Sequence, residues 1–120
     1  MSRLLVHIVS GPHYPTRVAL GLLIARTAAQ EGHAVDVFFA GDGVSVLRPE
    51  TLDVLQGIGT GAARDHLEAL AAASGVRVFA SGQSSKARAV TGEGLPVTPE
   101  MAMPTRLVEL ILEADRVVTY

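Results

Sequence analysis

The residues best suited to chemistry form a short polar turn between a predicted strand and a predicted helix. The apolar run Val76 to Ala80 leads directly into Ser81 to Ser85, and the basic stretch Lys86 to Arg88 follows. Where a buried strand runs into a helix, free backbone N–H groups and the positive end of the helix dipole face one point. The turn is therefore predicted to bind an anion. Its candidate ligand-binding residues are Ser81, Gln83, Ser84 and Arg88.

The serines of this turn also have a simpler structural interpretation. Serine is a preferred helix N-cap, and the capping role is the favoured interpretation of Ser81, Ser84 and Ser85. Nucleophilic catalysis is disfavoured because the stretch has no G-x-S-x-G elbow, no S-x-x-K spacing and no evident base. Thiol chemistry is excluded because the chain has no cysteine. No catalytic residue is predicted, and enzymatic activity is disfavoured.

Two further polar residues are predicted to lie at the same edge of the sheet as the turn. His13 follows the first predicted strand, and Asp42 follows the second. Because the carboxyl ends of parallel strands meet at one edge, both are candidates to line a ligand cleft beside Ser81. The favoured structural interpretations are an exposed turn residue for His13 and a helix cap for Asp42.

Neither a metal site nor a nucleotide-binding loop is predicted. The four histidines are His7, His13, His33 and His66. They show no paired ligand spacing, and His66 is expected on the polar side of a helix. The glycine-rich stretch Gly57 to Gly61 lacks the Lys-Ser/Thr of a P-loop, so it is expected to be a mobile connector. No cofactor is expected.

Strands alternate with helices along the chain, which predicts an α/β fold with a parallel sheet. The expected strands are Leu4 to Val9, Ala34 to Phe39, Val76 to Ala80 and Val117 to Tyr120. The expected helices are Thr16 to Glu31, Ala62 to Ser74, Ser84 to Val90 and Pro104 to Ala114, with shorter helical pieces at Val44 to Leu47, Pro49 to Leu55 and Thr98 to Met101. Continuous apolar strands are typical of a sheet with helices on both faces. The whole chain, residues 1–120, is expected to be a single domain.

The composition limits which partner molecules and which cellular compartment are expected for this protein. The 120 residues are 48% hydrophobic but only 4% aromatic, so one core of aliphatic side chains is expected. A net charge of −2 provides no basic surface, so neither nucleic acid nor a membrane is expected as a partner. The apolar run Leu4 to Val9 is too short to span a bilayer and follows no signal-peptide pattern, which favours a cytoplasmic protein.

One predicted helix carries an unusual amount of apolar surface. Between Val18 and Ala25, the helix Thr16 to Glu31 is apolar on nearly every side. One face of a sheet cannot cover such a helix, and contiguous apolar surface on a soluble protein usually marks an interface. The chain is therefore expected to form a homo-oligomer.

Characteristic residues occur at the junctions between the predicted elements. They are Ser10-Gly11-Pro12, Glu31 to Val35, Phe38 to Val44, Ser81 to Ser84 with Ala87-Arg88, and Ala114 to Thr119. In order and spacing they resemble the DsrE/DsrF/TusD family of small sulfur-relay proteins over essentially the whole chain. The resemblance implies a flavodoxin-like three-layer sandwich and assembly into trimers or hexamers.

One motif departs from the pattern of that family. The resemblance implies a Cys-Gly-x-Cys-x-x-Ala-Arg-Gly type stretch, whose first cysteine carries a persulfide in sulfur-transferring members. Here Ser81 and Ser84 occupy both cysteine positions, and Ala89 replaces the last glycine. A hydroxyl cannot hold a persulfide, so the fold is expected without the best-known chemistry of the family.

Three functions remain open at this point. The first is a module that binds a small ligand, an anion or a partner protein without transferring persulfide. The second is an accessory or docking subunit of a sulfur relay, in which the partner protein supplies the thiol. The third is a purely structural subunit.

Overall fold

A five-stranded parallel sheet forms the middle layer of the protein. The computed structural model describes residues 1–120. In chain order the strands are β1 (Arg3–Ile8), β2 (Ala34–Phe39), β3 (Gln56–Gly57), β4 (Gly61–Ala62), β5 (Val76–Ser81), β6 (Glu100–Ala102) and β7 (Arg116–Thr119). The sheet has the spatial order β6-β5-β2-β1-β7, and β3 and β4 form a separate antiparallel pair.

Helices cover both faces of the sheet. They are α1 (Pro15–Gln30), α2 (Pro49–Leu52), α3 (Ala63–Ala72), α4 (Gly82–Ala87) and α5 (Pro104–Glu113), and a 3₁₀ helix spans Gly41–Leu47. The helices α1 and α3 lie together on one face, and α5 covers the other. The predicted three-layer α/β fold is confirmed. None of the helices combines the length and apolar character that crossing a bilayer requires.

The two faces of the sheet are buried to different extents. Side chains alternate along each strand, so Val37 of β2 faces α1 and α3 while Phe38 faces α5. A cluster of 20 buried residues fills the first side. Only five buried residues form the cluster under α5, and Leu110 is the single fully buried side chain of that helix. The α5 side therefore has the thinner core.

Most of the apolar surface of α1 is covered within the chain itself. None of its large apolar side chains is exposed, because α3 and the β3–β4 pair pack on the side that the sheet leaves free. Leu20, Leu23 and Ile24 remain half-buried, so α1 offers less apolar surface than the sequence suggests, and the homo-oligomer stays a prediction. Exposed apolar side chains lie on α5 instead, at Val108, Ile111 and Leu112.

Two short segments differ from the sequence prediction. The predicted helical turn at Thr98 to Met101 is wrong, because Glu100–Ala102 pairs with β5 as the edge strand β6. The predicted mobile connector at Gly57 to Gly61 instead forms a hairpin between β3 and β4. Gly59 and Gly61 have φ values of 75° and 82°, which glycine adopts without a steric cost.

A buried carboxylate connects the three central strands. Asp36 on β2 is fully buried, and Arg77 on β5 donates to its two oxygens from Nε at 2.6 Å and from Nη2 at 2.8 Å. Arg3 on β1 donates to the same carboxylate at 3.3 Å. The hydrogen bonds to Asp36 raise the pKa of Arg77 above its ordinary value. Arg77 also contacts Glu113 at 3.3 Å, which links the network to α5.

This network gives a first prediction about stability. Asp36→Asn should lower the free energy of unfolding by about 2 kcal/mol or more, because charge-assisted hydrogen bonds to two arginines are lost in a buried site. Asp53→Asn is the matched control, since the ion pair of Asp53 with Arg64 is exposed and screened by solvent, so its loss should cost much less stability. Urea unfolding measures both variants. Equal losses would contradict a structural role for the buried carboxylate.

Candidate functional site

The strand order leaves a crevice at the carboxyl edge of the sheet. From β1 the chain proceeds outward through β2 and β5 to β6, and it then returns to place β7 on the other side of β1. The connection that follows β1 crosses the sheet face covered by α1, whereas the connection that leads into β7 crosses the opposite face, covered by α5. In open parallel sheets, ligands bind in the crevice outside the carboxyl ends of the strands at such a reversal.

A cavity of about 760 Å³ occupies this position. It lies between the loop that follows β1, the first turns of α1 and the end of β7. Its polar lining residues are Ser10, His13, Tyr14, Thr16, Arg17, Thr119 and Tyr120. Val9 and Leu20 contribute apolar surface. The volume of this cavity and its combination of polar and apolar lining residues are typical of small-molecule binding sites.

Three neighbouring side chains pack against one another at this cavity. The ring centroids of His13 and Tyr14 are 4.5 Å apart, and the guanidinium carbon of Arg17 lies 4.6 Å from the centroid of the Tyr14 ring. Arg17 Nη1 is 3.5 Å from the hydroxyl oxygen of Ser10, which is 8% exposed. No carboxylate forms an ion pair with Arg17. Its charge therefore remains available to a ligand.

The first turn of α1 adds backbone donors to the same cavity. No side chain caps this helix, and its first turn has no acidic residue. The N–H groups of Thr16 and Arg17 find no acceptor within the chain. Pro15 has no N–H group and suits the first helical position. This helix start supports negative charge next to the guanidinium.

The Ser81 turn is closed by its own hydrogen bonds. The side-chain oxygen of Ser81 accepts from the N–H of Ser84 at 3.1 Å, so the predicted N-cap role of Ser81 is confirmed. The side-chain oxygen of Ser84 accepts from the N–H of Gly41 at 3.0 Å and joins α4 to the 3₁₀ helix. The hydroxyl of Ser85 is buried without a partner. Gln83 is exposed on α4.

The charge of Arg88 is also matched within the chain. Arg88 Nη2 contacts a carboxylate oxygen of Asp42 at 2.9 Å, and Nη1 donates to the carbonyl of Ser84 at 3.3 Å. The favoured interpretation of Asp42 as a helix cap is wrong, because its carboxylate pairs with Arg88 and makes no cap hydrogen bond. The structure thus brings four predicted site residues together. They are Asp42, Ser81, Ser84 and Arg88.

His13 lies at the same edge but lines the cavity and not the Ser81 turn. The two places adjoin through Gly11, where a Cβ would lie 3.1 Å from His13 Cε1 and 3.1 Å from the carbonyl oxygen of Asp42. That close approach explains why the loop after β1 needs a glycine. The residues that sequence reasoning missed are Ser10, Thr16, Arg17 and Tyr120. Of these, Arg17 had a usable signal, since it follows Tyr14 by one helical turn.

The other histidines lie away from the cavity. His33 Nδ1 accepts from the N–H of Ser2 at 3.1 Å, at the amino edge of the sheet. The expectation that His66 is on a polar surface is wrong, because the β3–β4 hairpin covers it and its Nε2 lies 2.7 Å from the carbonyl oxygen of Thr60. Burial lowers the pKa of His7, whose Nε2 has no hydrogen-bond partner. No group of three histidine or acidic side chains is placed to hold a metal ion.

Comparisons with known proteins place the chain among proteins of one fold. The profile of the DsrE/DsrF-like family matches residues 3–120. The crystal structure of the ychN protein from E. coli is similar over 100% of both chains, with 20% sequence identity and a TM-score of 0.79. At 20% identity, this similarity establishes that the two proteins share a fold. Comparison with curated proteins finds no match.

The backbone of the closed turn gives a second prediction about stability. Ala89 follows α4 with a φ of 53°, a conformation that costs an alanine roughly 1–2 kcal/mol. Ala89→Gly should therefore raise the free energy of unfolding by about 1 kcal/mol. Ala71→Gly is the control, because this exposed alanine in α3 is helical and its loss should cost up to about 1 kcal/mol. A stability loss in both variants, measured by thermal unfolding, would contradict the assignment of strain to Ala89.

Proposed function

Because the chain belongs to the DsrE/DsrF-like family, which is related to sulfur relay, we propose that it is a non-catalytic ligand-binding module of that family. Its ligand occupies the cavity between the ends of β1 and β7. The observation that carries this proposal is the unpaired guanidinium of Arg17 in a cavity at the reversal of strand order. The module acts without transferring persulfide, and we place it in the cytoplasm.

The cavity is a better ligand site than the Ser81 turn because its arginine has no carboxylate partner. In the turn, Arg88 already has Asp42 as its counter-ion, and both Ser81 and Ser84 already accept a hydrogen bond. An anion bound there must compete with these contacts. At the cavity, Arg17 and the N–H of Thr16 meet no such competitor. The turn is kept as the second position at which a ligand can be sought.

A fragment screen tests the position of the ligand. Labelled protein is titrated with a mixed set of neutral and charged fragments while its backbone amide signals are followed by nuclear magnetic resonance. We expect the shifted signals to cluster at Ser10, Thr16 and Thr119. Clustering at Ser81 to Arg88 would instead support the site that the sequence predicts. The absence of any cluster would contradict the ligand-binding proposal.

A sulfur-loading experiment tests the absence of persulfide transfer. The chain should keep its intact mass after incubation with polysulfide, because it has no thiol. Ser81→Cys should take up sulfur faster than Ser74→Cys, since position 81 receives the N–H of Ser84 and position 74 is exposed at the end of α3. Sulfur uptake by the two cysteine variants also shows that the polysulfide is an active sulfur donor. A covalent sulfur adduct on the unmodified chain would contradict the proposal.

The exposed face of α5 supports a second proposal, that the module assembles with copies of itself. Val108 is 53% exposed, Ile111 40% and Leu112 81%, so three large apolar side chains face solvent on one ten-residue helix. The thin core beneath α5 makes this the least covered side of the sheet. The trimer or hexamer implied by the resemblance would bury this face. A relay partner that supplies a thiol is the alternative occupant.

A charge placed on α5 should break this assembly. Leu112→Glu should give the mass of a single chain in size exclusion with light scattering, whereas the unmodified chain gives a trimer or hexamer. Ile58→Glu is the matched control, because Ile58 is 90% exposed at the tip of the β3–β4 hairpin and away from α5. A monomeric unmodified chain would contradict self-assembly. An oligomer that survives Leu112→Glu would show that another face is used.

A further inference from the structure

We infer that the ligand of the cavity is a small organic anion, with one acidic group on an apolar or aromatic body. The inference rests on the proposed function, because it assigns a ligand class to the same cavity. No aspartate or glutamate lines the cavity, while Arg17 and His13 both do. A site whose only permanently charged side chain is an arginine favours negatively charged ligands.

Arg17 is the anchor for the acidic group. Five of the nine arginines form ion pairs with carboxylates, and four do not; of these four, only Arg17 lines the cavity. Its side chain is exposed, and the guanidinium lies over the Tyr14 ring at 4.6 Å and 3.5 Å from the Ser10 hydroxyl oxygen. A planar fork of donors suits a carboxylate or a phosphate monoester.

Other donors can reach the same acidic group. The N–H groups of Thr16 and Arg17 belong to the turn that carries the guanidinium, and neither has an acceptor in the chain. The Ser10 hydroxyl is almost fully buried at the cavity wall, and its only partner is Arg17. Its hydrogen is therefore free to donate. Together these groups can satisfy several oxygens of one anion.

The size and lining of the cavity indicate the rest of the ligand. A volume of about 760 Å³ is far more than an inorganic phosphate or sulfate needs. Val9, Leu20 and the Tyr120 side chain provide apolar surface, and the Tyr14 ring is 49% exposed. Such walls gain affinity by covering an apolar or aromatic body. An inorganic ion would leave them in contact with water.

Three probes separate the parts of this inference: benzoate, benzyl alcohol and inorganic phosphate. Each is titrated into the full chain, and the dissociation constant is read from the amide signals of Ser10, Thr16 and Thr119. Benzoate should bind about tenfold or more tightly than either of the other two. Arg17→Gln should weaken benzoate by about tenfold or more. Arg116→Gln should not, because Arg116 is exposed at the amino end of β7.

Each outcome decides a part of the inference. Equal affinities for benzoate and benzyl alcohol, or an unchanged affinity in Arg17→Gln, would overturn the assignment of an anion. If inorganic phosphate bound as tightly as benzoate, the inference that the ligand has an apolar or aromatic body would be overturned. No shift with any probe would overturn the inference as a whole. The fragment screen tests the proposed function separately. That proposal requires only that some fragment, charged or neutral, bind in the cavity.

Discussion

The parallel arrangement of all five strands is the constraint on which the rest of the structure depends. It forces every loop that follows a strand to one edge of the sheet, so His13, Asp42 and Ser81 must all lie there. The position of β7 beside β1 then decides where the edge opens. Between β1 and β2 the loops adjoin at Gly11, whereas a cavity lies between the loop that follows β1 and the end of β7. Topology alone therefore separates two polar clusters that the sequence suggests are one.

The two clusters differ in how their charges are matched. Asp42 neutralises Arg88 in the turn, and the serine oxygens there accept backbone hydrogen bonds, so that cluster holds α4 against the 3₁₀ helix. Arg17 has an aromatic support and a serine contact but no counter-ion. A guanidinium without a carboxylate partner breaks no ion pair when it binds an anion. This contrast supports our proposal that the ligand binds in the cavity, whereas the hydrogen bonds of the turn hold the fold together.

The sequence predicts the layers and most elements because long apolar strands and uninterrupted helices have strong patterns. It fails where a few residues take their structure from distant neighbours. Glu100–Ala102 is a strand only because β5 offers it a free edge, and His66 is buried only because the β3–β4 hairpin folds over it. The same holds for the candidate site. Ser81 could be recognised as a cap from local sequence, but the role of Arg17 depends on the distant placement of β7.

The central claim is that the ligand binds at the reversal of strand order and not at the serine turn. The most direct measurement is a crystal structure of the protein grown with phenyl phosphate. The account predicts the phosphate group within hydrogen-bond distance of the Arg17 guanidinium, with the ring between the ends of β1 and β7. Phenyl phosphate bound at Ser81 to Arg88, or a cavity without it at saturating concentration, would contradict the claim.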